Sequence, residues 1–356
     1  MKIAIIGDIH FGILSDSTQF LDYQEKFFSE IFFPYLVKHD IKEVIATGDV
    51  WDRRKYVNFL TVSRARKMFF DRLFELNINL KIPVGNHDIF YRNTNEVNSL
   101  HLLLSGYKNI HYMTEAEHVY YDKFKVAFIP WINAENYDKT MEFVKNSDAE
   151  LCISHLELKD FPMGGNSKCE HGMDAKLFSH FPLLLSGHFH CKSQIDNVKY
   201  IGTSYEMTWN DVDNDKGFYV FDTETKYLDF ILNPNRLHEK IIYDDTSTEH
   251  IQYLKTIDLS YFSAKNVKLF VQKKTNKDMF EKLIENLYKI DMINFQIIED
   301  ISAFHELNVE TAIDATTSTG KLIENYIDNV DTEMDKPKIK SMMNQLYLEA
   351  LMGNKE

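Results

Sequence analysis

The sequence predicts an α/β protein built from two layered sheets flanked by helices, with a small α+β unit and C-terminal helices appended. Three features predict this. Short apolar runs alternate with longer segments of helical period, the pattern of strands and helices packed in layers. Several of those runs stop at Gly, Asp, Asn or His, and in open α/β sheets the carboxyl ends of strands are where ligands bind. From about residue 237 the pattern shifts to a brief strand–helix alternation without such groups.

The first run, Lys2–Ile6, ends in Gly7-Asp8-Ile9-His10. Residues i and i+2 of an extended segment point the same way, so Asp8 and His10 either cap a turn or offer a carboxylate and an imidazole to one ion. Helical period follows from Thr18 to about Lys38 (Phe20, Tyr23, Phe27, Ile31), with Pro34 expected to kink or end it. Glu43–Thr47 reads as a second strand, stopping at Gly48-Asp49. Behind it, Val50-Trp51-Asp52-Arg53-Arg54-Lys55 is either a solvated loop or a phosphate-steering surface with the Trp51 indole as a stacking face. Phe59–Leu76 is helical, with Arg64, Arg66, Lys67 and Arg72 on its outer face. Ile78–Val84 reads as a buried strand opening onto Gly85-Asn86-His87-Asp88, and the loop continues through Tyr91-Arg92-Asn93. Asn supplies a neutral oxygen ligand and His can carry a proton, so metal binding and acid catalysis could sit side by side.

A helix over Val97–Leu104 precedes strands Ile110–Met113, His118–Tyr121 and Lys125–Pro130; His101, His111 and His118 read as structural or exposed. After a helix over Tyr137–Lys145, the strand Glu150–Ser154 ends at His155, and Pro182–Ser186 ends at Gly187-His188-Phe189-His190. Lys199–Ile201 and the hairpin Gly217–Phe221/Tyr227–Leu232 are assigned to the second sheet. Strand Glu239–Tyr243, helix Glu249–Leu254, strand Asn266–Val271, helix Lys277–Lys289 and strand Asn294–Ile298 form the small α+β unit. Residues 291–335 hold eleven Asp or Glu against one lysine, Lys321, part of which reads as a linker. Two amphipathic helices close the chain, one through Leu322, Ile323, Tyr326, Ile327 and Val330, the other through Ile339, Met342, Met343, Leu346, Tyr347, Ala350 and Leu351; Pro337 suits the first turn of the second. The expected division is 1–236, 237–300 (a capping domain), 301–318 (an acidic linker) and 319–356 (a helical segment).

With 356 residues the chain is long for one core and suggests about two domains plus appendages. Its net charge of −14 argues against strong autonomous binding to DNA, because phosphate neutralisation supplies most of that affinity. The charge does not argue against a metal site that takes phosphate locally. No apolar run approaches the roughly 18 residues of a membrane span, and the first residues lack a signal-peptide pattern. Cys152, Cys169 and Cys191 are scattered and odd in number, which favours free thiols and a cytoplasmic location.

Asp8, His10, Asp49, Asn86, His155, His188 and His190 all stand at expected strand ends. The set is oxygen and imidazole without thiolate, which suits Mn, Fe or Zn better than Ca or pure Mg. Seven ligands are too many for one ion and sufficient for two if a carboxylate bridges. Asp8-x-His10, Gly48-Asp49, Gly85-Asn86-His87-Asp88, His155 and Gly187-His188-Phe189-His190, in that order, resemble the five motifs of the calcineurin-like metallophosphoesterases. Within that superfamily the chain is most similar to the DNA nucleases that partner a coiled-coil ATPase, the family that includes bacterial SbcD. Ile129-Pro130-Trp131, Tyr200-Ile201-Gly202-Thr203, Phe221-Asp222-Thr223-Glu224-Thr225 and Asn344-Gln345-Leu346-Tyr347-Leu348-Glu349-Ala350 carry a likeness to its T-even-type phage branch. The likeness covers residues 1–240 well, the cap by order of elements, and the tail by a short run.

The resemblance implies a two-sheet metallophosphoesterase sandwich and a pair of Mn2+ ions, with Mg2+ as the alternative. One ion would take Asp8, His10, Asp49 and His190, the other Asp49, Asn86, His155 and His188, with Asp49 bridging. His87 would stabilise the transition state and protonate the leaving 3′ oxygen, and Asp88 would orient it. Asp52 stands where some cellular members carry a second catalytic histidine. The implied activity is a 3′–5′ exonuclease and endonuclease at DNA ends, acting in recombination and double-strand-break repair. Trp51, Arg53, Arg54, Lys55, Tyr91 and Arg92 are the candidate DNA contacts. Ile339, Met342, Met343, Leu346, Tyr347 and Leu351 would grip an SMC-like ATPase, and homodimerisation is implied as well. In a phage the location would be the host cytoplasm. The rival substrate is a small nucleotide or a phosphoprotein, against which the cap and the helical tail count.

Overall fold

In the computed structural model, which describes residues 1–164 and 167–299 together with Lys336 and Met343, the apolar runs become strands of two six-stranded sheets. The first runs, in spatial order, Leu228–Leu232, Gly217–Asp222, Lys2–Ile6, Glu43–Ala46, Asn79–Pro83 and Ile110–Met113. The second runs Ser193–Ile195, Val198–Tyr200, Leu184–Gly187, Leu151–His155, Phe124–Ile129 and Glu117–Tyr121. Strand period 2 explains the layering. Ile3, Ile5 and Ile45 of one sheet meet Val126, Phe128, Leu151, Ile153 and Leu185 of the other, while Ala4 and Ile6 face the helices on the opposite side. Strands buried on both faces read as unbroken apolar runs, which makes them recognisable in the sequence.

The hairpin Gly217–Asp222/Leu228–Leu232, expected in the second sheet, instead extends the first, with Gly217–Asp222 antiparallel to Lys2–Ile6. Burial explains the placement: Tyr219 and Phe221 face between the sheets, and Phe218 and Val220 face the helical layer. The exposed strand Ser193–Ile195 and the small pairing of Pro162–Gly164 with Ser167–Lys168 are too short and polar to show a period.

Each of the two long helical runs carries a wide π-turn in its middle. Thr18–Phe27 passes through Phe28–Phe32 into Phe33–Lys38, and Phe59–Ala65 through Arg66–Phe70 into Asp71–Glu75. The extra residue per turn lets consecutive phenylalanines, Phe27 with Phe28 and Phe69 with Phe70, all reach the core. Phe28 and Phe69 pack across the two runs with ring centroids 4.8 Å apart. Pro34 comes just after the first wide turn and does not end the helix.

Residues 238–298 form a parallel three-stranded sheet, with Asn266–Lys273 between His238–Asp244 and Asn294–Ile298. Helices Thr248–Thr256 and Lys277–Leu287 cover it around Ile241, Tyr243, Leu269, Phe280 and Leu287. Glu206, fully buried, accepts the N–H groups of Leu237 and His238 and pairs with Arg236, fastening this unit to the two-sheet body. The expected linker and tail helices lie outside the described residues, except that Lys336 and Met343 are helical. Met343 is exposed. All three cysteines are free thiols. Among the described residues no helix is long and apolar enough to cross a membrane.

Candidate metal centre

Loops leaving Lys2–Ile6, Glu43–Ala46, Asn79–Pro83 and Leu184–Gly187, with the end of Leu151–His155, converge at one edge of the sandwich. The backbone there is unusual. His10, Asp49 and His188 have φ of 50°, 48° and 90°, a left-handed region that costs a non-glycine residue roughly 1–2 kcal/mol. Such strain persists where the surroundings over-determine it. The motif glycines serve close approach: a Cβ on Gly85 would lie 2.2 Å from Asp49 Oδ1, and one on Gly187 would lie 2.2 Å from Asp8 Oδ1.

Three groups of ligand types result: Asp8–His10–His190, Asp49–His155–His188 and, sharing His10 with the first, His10–Asp52–His87. In the first, His10 Nε2 faces His190 Nε2 at 3.1 Å. Nitrogens this close can turn to one shared ion, since metal–imidazole bonds are about 2.1 Å long. In the second, His155 Nε2 and His188 Nδ1 converge on Asn86 Oδ1 at 2.8 and 3.0 Å. Asp49 Oδ2 lies 3.2 Å from His155 Nε2 and 3.8 Å from His10 Nε2, so a single carboxylate oxygen reaches toward both groups. The residues therefore fit divalent metal binding, and all seven expected ligands meet here.

Neighbouring groups set the imidazole orientations, as outer partners do in metal sites. His155 Nδ1 donates to the Thr47 carbonyl at 2.8 Å, leaving Nε2 toward the centre. His10 Nδ1 lies 3.5 Å from Asp52 Oδ1, an ion-pair distance rather than a good hydrogen bond. Asp52 thus stands behind a candidate ligand, a role its sequence position did not reveal.

Electrostatics follow from burial and from these pairings. Burial pushes Asp8 up to about 6 against the pull of His155. Burial would also raise Asp49, but the charges of His155 and His87 hold it well below the usual carboxylate range. Burial works to lower His10 and His155; the Asp52 and Asp49 carboxylates lift His10 to about 9, and Asp49 and Asp8 lift His155 to about 9. Burial, with the charge of a neighbouring histidine, depresses His188 and His190. A bound cation takes the place of such protons, so metal uptake here releases them.

Two expected roles are corrected. Asp88 does not orient the His87 ring. Its carboxylate accepts the N–H groups of Gly85 (3.0 Å), Val50 (3.0 Å) and Trp51 (3.3 Å), bracing the loops that carry Asn86 and Asp49. Burial and the Asp49 charge push it up to about 7. His87 is held instead by the Asp52 carbonyl, 2.5 Å from Nδ1; a carbonyl only accepts, so Nδ1 carries the proton. Burial lowers the His87 pKa. Trp51 is fully buried between Phe11 and Phe70, with ring centroids 5.7 and 6.2 Å away, and offers nucleic acid no surface.

The aromatic face at the site belongs to Trp131, whose ring lies 5.2 Å from that of His188. It lines a cleft of about 620 Å³ with His87, Arg53, Arg54, Lys55 and Arg92. The cleft is open and basic at its rim although the chain is acidic. Arg53 donates to the Tyr56 hydroxyl at 2.7 Å, and Tyr91 stands exposed beside Arg92. Trp131 stands in the Ile129-Pro130-Trp131 run that carries the family likeness, but no sequence feature placed it at the site.

Carboxylates and histidines clustered at one edge of a two-sheet sandwich suit a metal-dependent phosphoesterase, and the chain belongs to the calcineurin-like phosphoesterase family, whose model matches residues 1–192. Among named proteins it is similar to Exonuclease subunit 1 of Enterobacteria phage T4, 30% identical over 358 residues, covering 98% of this chain and 99% of that one. It is also similar to the SbcD subunit of the nuclease SbcCD of Staphylococcus epidermidis, 24% identical over 388 residues, covering 96% and 98% respectively.

Proposed function

We propose that the protein is a two-metal, Mn2+-dependent DNA nuclease, cutting as an exonuclease and endonuclease at DNA ends. The observation that carries this reading is Asp49 Oδ2, in reach of histidines from both clusters beneath a basic cleft. Relatives named as an exonuclease subunit and a nuclease subunit, matched over nearly their whole lengths, support DNA over a small phosphoester.

In this reading Asp8, His10, Asp49 and His190 hold one cation and Asp49, Asn86, His155 and His188 the other. When bound, the pair supplies a water of lowered pKa and neutralises charge on the phosphate. Arg54, Lys55 and Arg92 would draw the DNA backbone into the cleft, and Trp131 would give a sugar or base a flat wall. The charges position, and the stacking surface is sequence-tolerant. His87, with its Nδ1–H fixed on the Asp52 carbonyl, presents Nε2 to the cleft and in its imidazolium form gives its Nε2 proton to the departing 3′ oxygen, remaining as the neutral Nδ1–H imidazole. A Mn2+-dependent assay on end-labelled duplex and on a nucleotide monophosphate tests the reading. Duplex degradation that EDTA stops is expected, and monophosphate turnover with intact duplex would sink it.

We further propose that residues 1–236 are the nuclease domain and 237–300 a cap, and that the chain pairs with a second copy. Through 319–356 it would engage the coiled coil of an SMC-like ATPase in recombination and double-strand-break repair, an amphipathic helix lying in a groove. Truncation after Asp331 should leave the circular dichroism and melting of the nuclease body unchanged and abolish co-purification with a co-expressed coiled-coil ATPase. Retained co-purification would move the contact elsewhere.

A further inference from the structure

Lys216, at the start of the strand Gly217–Asp222, takes no part in the chemistry above, yet its side chain is buried, with 3% of the residue exposed. Its Nζ donates to Asp211 Oδ1 at 2.6 Å and to the backbone carbonyl of His190 at 2.8 Å. Asp211 is itself anchored. Its Oδ2 accepts the N–H groups of Met207 and Thr208, both at 2.9 Å, and it closes the capping box of the short turn Trp209–Asp211. The His190 carbonyl also accepts Thr203 N–H at 3.1 Å. A continuous path therefore runs from a rigid turn through a carboxylate and an ammonium to the main chain of a candidate ligand.

A buried ion pair is a weak device for stability, since desolvating two charges offsets their attraction. Specific placement is a better account of this one. His155 and His87 are oriented through a ring nitrogen, by the carbonyls of Thr47 and Asp52. The corresponding restraint on His190 acts on its backbone. The imidazole so placed faces His10 in the first cluster, whereas the second is braced by other groups: Asp88 holds the loops of Asn86 and Asp49, and Asp8 Oδ2 accepts the His188 N–H at 2.8 Å.

We propose that the Lys216–Asp211 pair is a positioning device for His190 that sets the affinity of the Asp8–His10–His190 site for its divalent cation, separately from the other site. This rests on the two-cation reading. The test is Mn2+ titration of the full chain, followed by electron paramagnetic resonance, in wild type, Lys216→Met, Lys216→Arg and the double variant Lys216→Met/Asp211→Asn. The double variant removes both charges and keeps an acceptor at 211, so folding, checked by melting, is protected. His190→Ala and His188→Ala mark the two sites. Expected is a fall of about 10–100-fold in affinity at the site that His190→Ala removes, with little change at the site that His188→Ala removes, and partial recovery in Lys216→Arg. Unchanged binding at both sites in the double variant, or equal weakening of both, overturns the proposal. Failure of the wild type to bind two ions would instead overturn the two-cation reading.

Discussion

Asp49→Asn is expected to strip Mn2+ from both clusters and to lower DNA cleavage by more than about 10³-fold, the loss of several kcal/mol of charge stabilisation at the phosphate. Asp49 is the residue that both histidine groups share, at 3.2 and 3.8 Å from one oxygen. Its other oxygen accepts the His87 N–H at 2.7 Å, a bond that the amide oxygen of asparagine can keep. The substitution therefore removes the negative charge with little change of shape. Without it, His10 and His155 lose their strongest common partner, and cations held on either side lose their common anchor. Metal content by mass spectrometry and cleavage of labelled duplex read the two effects independently. Two Mn2+ retained per chain in this variant would show that the clusters are separate mononuclear sites and would remove Asp49 from the bridging role.

Much of this centre is readable in the sequence because its ligands sit where regular structure ends. A two-residue period places Asp8 and His10 on one side, and Gly48, Gly85 and Gly187 mark the points where the backbone closes on the ligand side chains. Strands buried on both faces announce themselves as apolar runs. What stays hidden depends on direction in three dimensions. Trp51 beside three basic residues reads as a surface aromatic, but the loop turns its indole inward onto Phe11 and Phe70. Asp88 follows His87 in sequence, yet its carboxylate points back to three backbone N–H groups, while a carbonyl 35 residues away holds the imidazole. Lys216 and Glu206 look like ordinary surface charges in a sequence that is 26% charged, and only their burial reveals them. The hairpin Gly217–Asp222/Leu228–Leu232 reads from sequence as part of the second sheet but pairs with the first, because alternation identifies a strand without naming its neighbour.

His87→Ala is expected to keep both metal ions and DNA affinity while losing about 10²–10⁴ in cleavage rate, the range a positioned general acid supplies. The ring is half-buried at the cleft floor, edge-on to His10 with centroids 4.9 Å apart, and its Nε2 is the nitrogen left for the substrate. Burial that lowers its pKa also makes its imidazolium a stronger acid, at the cost of a smaller protonated fraction near neutrality. Leaving-group chemistry separates a proton donor from a residue that merely stabilises charge. A 3′ alkoxide must be protonated as it departs, whereas a 4-nitrophenolate departs without help. If His87 delivers the proton, the variant should lose far more on DNA than on a 4-nitrophenyl phosphodiester. Equal losses on the two substrates would reassign His87 to electrostatic stabilisation of the transition state, and loss of metal would place it among the ligands.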